Sequence, residues 1–326
     1  MSELNYEHVF DVLVDKTAEY VTENNLKAMV LGISGGIDST VVAAICHEVS
    51  KKTGIPLIGR SLPIKNKSDE FDVSKLVGEA FCDEFKVFNL SSSYKSVLFD
   101  LCADTGLIKD CKGYDWYWVS DLEELAGRTP IANGNIQARC RMIHLYDIAS
   151  IRKGLVMSTD NQTEYQLGFW TIHGDVGDFD PIQDLWKTEV YELARWLVTR
   201  YQNIAEFPNR ECWENRAWKA IVESIKLIPT DGLGISNSDL DQIGAKDYAT
   251  VDDILSRFIP FENFRKSYDS AGQIMHPHDE MAESDCWSQL CARHGEDVVN
   301  KVWSRHLASE FKRKKAPIYI SRELYE

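Results

Sequence analysis

Apolar positions along the chain switch between a helical and a strand-like period. Residues 6–24 set Val9, Val12, Leu13, Ala18 and Val21 on or near one face, which predicts an amphipathic helix. Lys27-Ala28-Met29-Val30-Leu31 is a short apolar run and reads as a buried strand. Val41-Val42-Ala43-Ala44-Ile45 then opens a helix running to about Lys52. Pro56–Pro63 predicts a second strand, Ser68-Asp69-Glu70 the cap of a helix ending near Glu84, and Phe85–Leu90 a third strand. Asn133–Met142 opens a long helix, Gly154–Asp160 is a fourth strand, and Leu185–Val190 starts a helix with Leu193, Ala194 and Leu197 inward. Alternation at these lengths predicts an α/β fold, a doubly wound parallel sheet with helices on both faces. Residues 105–130, 200–228 and 262–300 break the rhythm. They read as insertions in a single domain spanning 1–326, and Asp252–Leu255 as the start of a short helix.

Between the first strand and its helix lies Gly32-Ile33-Ser34-Gly35-Gly36-Ile37-Asp38-Ser39. A strand, a glycine turn and a helix N-terminus leave backbone N–H groups aimed at one spot beside the positive end of a helix dipole, a place for a phosphate. Gly35 and Gly36 permit positive φ and close approach, and Ser34 and Ser39 add hydroxyls. The turn lacks the lysine of a Walker A loop and carries Asp38 in its place. A carboxylate beside phosphates makes chemical sense when Mg²⁺ lies between them.

Other chemistry is spread along the chain. Glu164 follows the fourth strand as Asp38 follows the first, so the two strand ends can bring the carboxylates to one Mg²⁺. Arg139 and Arg141, read as lying near a helix start, oppose its dipole, which points to a bound anion. Residues 168–181 are glycine-rich, acidic and aromatic and read as a binding loop, in which His173 is a candidate base. Lys187 at a helix start is a candidate phosphate ligand, and Pro229-Thr230-Asp231-Gly232 is a turn with a hydroxyl and a carboxylate. The segment Lys312-Arg313-Lys314-Lys315 is basic, and either a solvated tail or a flap over an anion.

Composition narrows the classes. A net charge of −15 argues against a general nucleic-acid binder. No apolar run approaches a membrane span and residues 1–30 lack a signal-peptide core, so the expected setting is cytoplasmic. The eight cysteines include no C-x-x-C pair, so free thiols are expected rather than zinc, an iron–sulfur cluster or a disulfide framework.

The Ser34-Gly35-Gly36-x-Asp38-Ser39 turn resembles the pyrophosphate loop of the N-type ATP pyrophosphatases. The order of motifs is similar to the ammonia-dependent NAD⁺ synthetase family: that turn, Gly134-Asn135-Ile136-x-Ala138-Arg139-x-Arg141-Met142, Thr159-x-Asn161-x-x-Glu164, Gly174-Asp175, Asp178-x-x-Pro181 with Lys187, and Pro229–Gly234. The resemblance implies ATP-dependent amidation of deamido-NAD⁺ with ammonia through an adenylated intermediate, releasing AMP and pyrophosphate. It implies that Gly32–Ser39, Thr159, Lys187 and Thr230 bind ATP and that Asp38 and Glu164 bind Mg²⁺. Arg139, Asp178, Lys312 and Arg313, with His173 and Asp175 as further candidates, would contact deamido-NAD⁺. It also implies a homodimer with the dinucleotide at the interface. Departures are Ile172 where the family usually has a lysine and Lys312-Arg313 where a histidine–lysine pair is common. The competing readings are another adenylating ligase built on the same loop, and a non-catalytic nucleotide sensor.

Overall fold

Strands β1 (Met29–Gly32), β2 (Leu57–Ser61), β3 (Glu84–Val87) and β4 (Leu155–Val156) form a parallel sheet in the order β3-β2-β1-β4. The computed structural model describes residues 4–64, 68–106, 123, 127–205, 212–229, 239–270 and 277–313. The chain winds outward from β1 through β2 to β3 and returns to β4 on the other side of β1. The strand order therefore reverses between β1 and β4, where ligands sit in open α/β sheets.

The pleat sorts the strand residues into two cores. Met29, Leu31 and Leu57 join α1 (Tyr6–Glu23), α2 (Ile37–Thr53), α3 (Ser68–Phe81), α7 (Lys187–Ile204) and α8 (Trp213–Lys226) on one face. Val30, Ile58 and Val156 meet α4 (Ser91–Asp104) and α5 (Pro130–Arg152) on the other. A third cluster holds Leu167, Val251, Ile254, Leu255, Leu290, Val299 and Val302. It is built from α6 (Gln162–Leu167), α9 (Asp239–Ile243), α10 (Tyr248–Ser270), α11 (Pro277–His294) and α12 (Glu296–Ala308), and the short α13 (Glu310–Arg313) follows.

Several boundaries differ from the sequence reading. Helix α5 begins at Pro130, with the Thr129 hydroxyl accepting from Ala132 N–H. Proline at the first helical position and threonine before it form a start signal three residues ahead of Asn133. Arg139 and Arg141 thus lie well inside the helix, away from the positive end of its dipole. Glu84 opens β3 instead of ending a helix, because α3 stops at Phe81. Strand β4 pairs with β1 over two residues only; beyond them Met157 bridges Phe179 on the opposite side. The expected short helix at Asp252 is part of the long α10, which runs through Pro260. Residues 213–226 are α8, whose Ala217, Ala220 and Ile221 are buried in the first core. Within 262–300, Trp287, Leu290 and Val299 belong to the third cluster, while 271–276 and most of 105–130 lie outside the described residues. No helix among the described residues is long and apolar enough to cross a membrane.

Candidate active site

The turn after β1 has the geometry that its residues demand. Gly35 takes φ 90°, which favours glycine, while Gly36 is an ordinary extended N-cap at φ −64° and ψ 158°. Gly36 has no side chain to cap α2. The local hydroxyls turn inward: Ser34 Oγ lies 3.0 Å from Ser39 Oγ, Gly36 N–H donates to Ser34 Oγ, and Ser39 and Thr40 donate to Gly36 O. The first-turn N–H groups of α2 have no intrahelical acceptor, so the turn presents donors to an anion.

Asp38, Glu164 and Lys187 converge beside this turn. Lys187 Nζ donates to Asp38 Oδ2 at 2.5 Å and to Glu164 Oε1 at 3.0 Å. Lys187 is 2 % exposed, and the two carboxylate side chains are 16 % and 18 % exposed. Burial alone would lower the lysine's pKa; the Asp38 and Glu164 carboxylates outweigh it and hold the group well above its ordinary value. The ammonium is therefore a fixed positive charge, 5.6 Å above the Tyr248 ring.

Buried Asn161 aligns both carboxylates. Its Nδ2 donates to Asp38 Oδ1 at 2.9 Å, its Oδ1 accepts from Glu164 N–H, and its own N–H donates to Glu164 Oε2, a capping box across the start of α6. Two more acids stand behind them. Asp160 accepts from the Ser158 hydroxyl; burial, then Glu164 and Asp180, pushes its pKa well up. Burial, helped by Glu164 and Asp38, raises Asp180 to about 7, and its Oδ2 is buried with no hydrogen-bond partner among the described residues.

Two carboxylates reaching one cation are a donor set that fits Mg²⁺, which takes one or two protein carboxylates and fills its octahedron with water and phosphate oxygens. No group of three or more metal-ligating side chains occurs among the described residues.

The other expected residues gather around the 168–181 loop. Arg139 donates to Ile172 O at 2.9 Å, and the Thr171 hydroxyl donates to Asn135 Oδ1, which ties the loop to α5. His173 is exposed at φ 51°, and Asp175 Oδ1 accepts from Thr171 N–H. Asp178 closes the end of β4: it accepts from Val156 N–H and from the Tyr146 hydroxyl. Lys312 donates to the carbonyls of Gly168 and Trp170, and Arg313 to Gln166 O. Thr159 lies half-buried between β4 and α6, and Thr230 lies outside the described residues.

A family model described as NAD synthase matches residues 9–316. The chain belongs to the NAD synthase family. The NH(3)-dependent NAD(+) synthetase of Thermoplasma acidophilum is 35% identical over 235 residues, 71% of this chain and 76% of that one. Its namesake from a Campylobacter jejuni strain is 28% identical over 255 residues, 78% and 88% of the two chains. Among solved structures, NMN synthetase from Francisella tularensis matches with a TM-score of 0.66 at 21% identity, covering 98% of this chain and 100% of that chain. NH3-dependent NAD synthetase from Campylobacter jejuni matches at 0.59 and 20% identity with the same coverage. These structural likenesses show the shared fold.

Within this NAD synthase fold, the sequence marked Asp38, Glu164 and Lys187 as candidates and showed Asn161 only as part of a motif, with no role in aiming them. Asn161 had a readable signal, because Asn-x-x-Glu ahead of a short helix is a capping box. Asp160 and Asp180 had none, since their burial and their nearness to Glu164 exist only in the folded chain.

Proposed function

We propose that this chain converts deamido-NAD⁺ to NAD⁺ with ATP and ammonia. The observation that carries the reading is the convergence of Asp38, Glu164 and Lys187 on the Ser34–Ser39 turn at the switch point of an NAD synthase fold. A carboxylate is a poor acyl donor to ammonia because its leaving group would be oxide. Transfer of AMP to the nicotinate carboxylate makes the leaving group a phosphate monoester. That first step sets two anions against each other, so it needs positive charge and N–H donors around the phosphates. The turn supplies the donors, and Lys187 offsets one of the two carboxylate charges that face them. Mg²⁺ held by Asp38 and Glu164 would neutralise phosphate oxygens. The second step needs neutral ammonia held at the activated carbon with water kept out.

Residues of the loop side frame the acceptor in this reading. Arg139, His173, Asp175, Asp178, Lys312 and Arg313 lie along one loop and its supports, where the dinucleotide would run from the nucleotide cradle. Thr159 and Thr230 are assigned to ATP. A homodimer in the cytoplasm completes the reading, and Ile143 and Ile151 on α5, 69 % and 70 % exposed, offer apolar surface for a second copy.

The deciding experiment mixes ATP, Mg²⁺, ammonium and deamido-NAD⁺ and measures NAD⁺ and AMP, with nicotinate mononucleotide offered in parallel. One NAD⁺ per AMP, dependent on ammonium, is expected. Amidation of the mononucleotide alone moves the substrate assignment. Pyrophosphate release with some other carboxylate means a different adenylating ligase, and saturable ATP binding without turnover means a sensor.

A further inference from the structure

Lys187 begins α7, yet the residue before it, Trp186, has no oxygen in its side chain to accept from the first turn. The acceptor comes from 64 residues further along the chain, on α10. Asp252 is fully buried, and its Oδ2 accepts from Thr188 N–H at 3.0 Å and from the Thr188 hydroxyl at 2.8 Å. Its Oδ1 accepts from the Thr163 hydroxyl at 2.5 Å. With its O–H donated in a hydrogen bond to Asp252, the Thr163 oxygen accepts from Lys187 N–H at 2.9 Å. One carboxylate thus ties the N-terminus of α7 to α6, where Thr163 immediately precedes Glu164. A buried carboxylate is stable only when its lone pairs are filled, and here three donors and the positive end of α7 do so. Burial raises its pKa to about 6 while those hydrogen bonds pull the other way, so the group is ionised at neutral pH.

We propose that Asp252 is a positioning residue for the reaction: by holding Thr163 and Thr188 it keeps Glu164 and Lys187 in register with Asp38. It lies behind the cradle and touches no substrate. The proposal rests on the assignment of ATP and Mg²⁺ to that cradle. Without Asp252 the first turn of α7 loses its cap and the Thr163 hydroxyl loses the acceptor that fixes its orientation towards Lys187 N–H, so the register between the ammonium and the Glu164 carboxylate loosens by more than phosphoryl chemistry tolerates.

The test compares Asp252→Ala with Asp83→Asn. Asp83 does similar structural work far from the cradle, accepting from the Ser50 hydroxyl and Leu57 N–H at the opposite end of β2. Asp252→Ala is expected to lower kcat about 10–100-fold, as losses behind a metal site do, with the KM for deamido-NAD⁺ little changed. Asp252→Asn, which keeps an acceptor for Thr188, should lose less. Calorimetric titration with Mg²⁺ and a non-hydrolysable ATP analogue should show weaker binding to Asp252→Ala and unchanged binding to Asp83→Asn. That titration needs no acceptor substrate, so it still tests Asp252 if the assay for NAD⁺ fails. Equal kcat and binding in wild type and Asp252→Ala would overturn the proposal. Should Asp252→Ala not fold, Thr163→Val keeps the shape and removes only the hydroxyl relay. Weaker Mg²⁺–nucleotide binding by that folded variant supports the proposal, and unaltered binding overturns it.

Discussion

Lys187 occupies, with one ammonium, the point at which the Asp38 and Glu164 carboxylates meet, and the cost of bringing those charges out of water is offset by three-way pairing. Asp180, close by, is paired at one oxygen only. Its Oδ1 accepts from Ile182 N–H, its Oδ2 is buried with no partner among the described residues, and burial with neighbouring acids raises its pKa to about 7. The sign follows: the folded chain holds this proton more tightly than the unfolded chain, whose aspartates titrate near about 3.9. Its contribution to stability is therefore greatest below that value and is lost as pH rises towards about 7. Asp180→Asn, which resembles the protonated acid, should melt about 2–4 °C above wild type at pH about 8 in EDTA, with the gap closing near pH about 5. Melts of both proteins across that range check it, and a constant gap would mean that Asp180 does not titrate there.

At the scale of elements, α6 depends on its surroundings. It has six residues, far too few to persist alone. Asn161 closes its start, and cations from the C-terminal helices close its end: Arg305 donates to Leu167 O, and Lys312 and Arg313 to Gly168 O and Gln166 O. Lys312 and Arg313 are thus docked on the helix that carries Glu164. Replacing Lys312 and Arg313 together by alanine should raise the KM for ATP as well as that for deamido-NAD⁺, because the ATP cradle loosens with α6. Steady-state kinetics in both substrates decide; a change confined to deamido-NAD⁺ would make the two residues substrate contacts alone. A second element-scale tie is Glu84 on β3. Arg152 of α5 and Arg60 of β2 both hydrogen-bond it and hold its pKa down at about 2. Its contribution is present above the unfolded value of about 4.3 and fades as pH falls towards about 2. Urea unfolding of Glu84→Gln should show a loss of about 1 kcal/mol at neutral pH, modest because the carboxylate is partly solvated, and a smaller loss at pH about 3.

For the molecule as a whole, the first two cores sandwich the sheet and the third sits at the α6 end of the site, so the cradle lies where the α/β body meets the C-terminal helices. Exposed Ile143 and Ile151 on α5 are the apolar surface on which the proposed dimer depends. If a second copy completes the dinucleotide site, activity per chain should fall on dilution below the dimer's Kd. Turnover and sedimentation measured over one dilution series test this, and constant specific activity in a monomeric sample would rule it out.

The sequence by itself determined what contiguous residues encode: the β1–turn–α2 unit, the parallel alternation, and Asp38 at a helix start where a phosphate would rest. Periodicity and glycine chemistry are local, so they survive without the fold. It also marked Glu164 and Lys187 as candidates, through strand-end and helix-start positions. Only the tertiary structure decided that Lys187 bridges two carboxylates 149 and 23 residues away in sequence. The start of α5 was legible at Thr129-Pro130 yet outweighed by the apolar pattern further on, whereas the Asp252 network left no local trace. A buried aspartate and an exposed one read alike until packing removes the water, and packing brings together residues that sequence distance keeps apart.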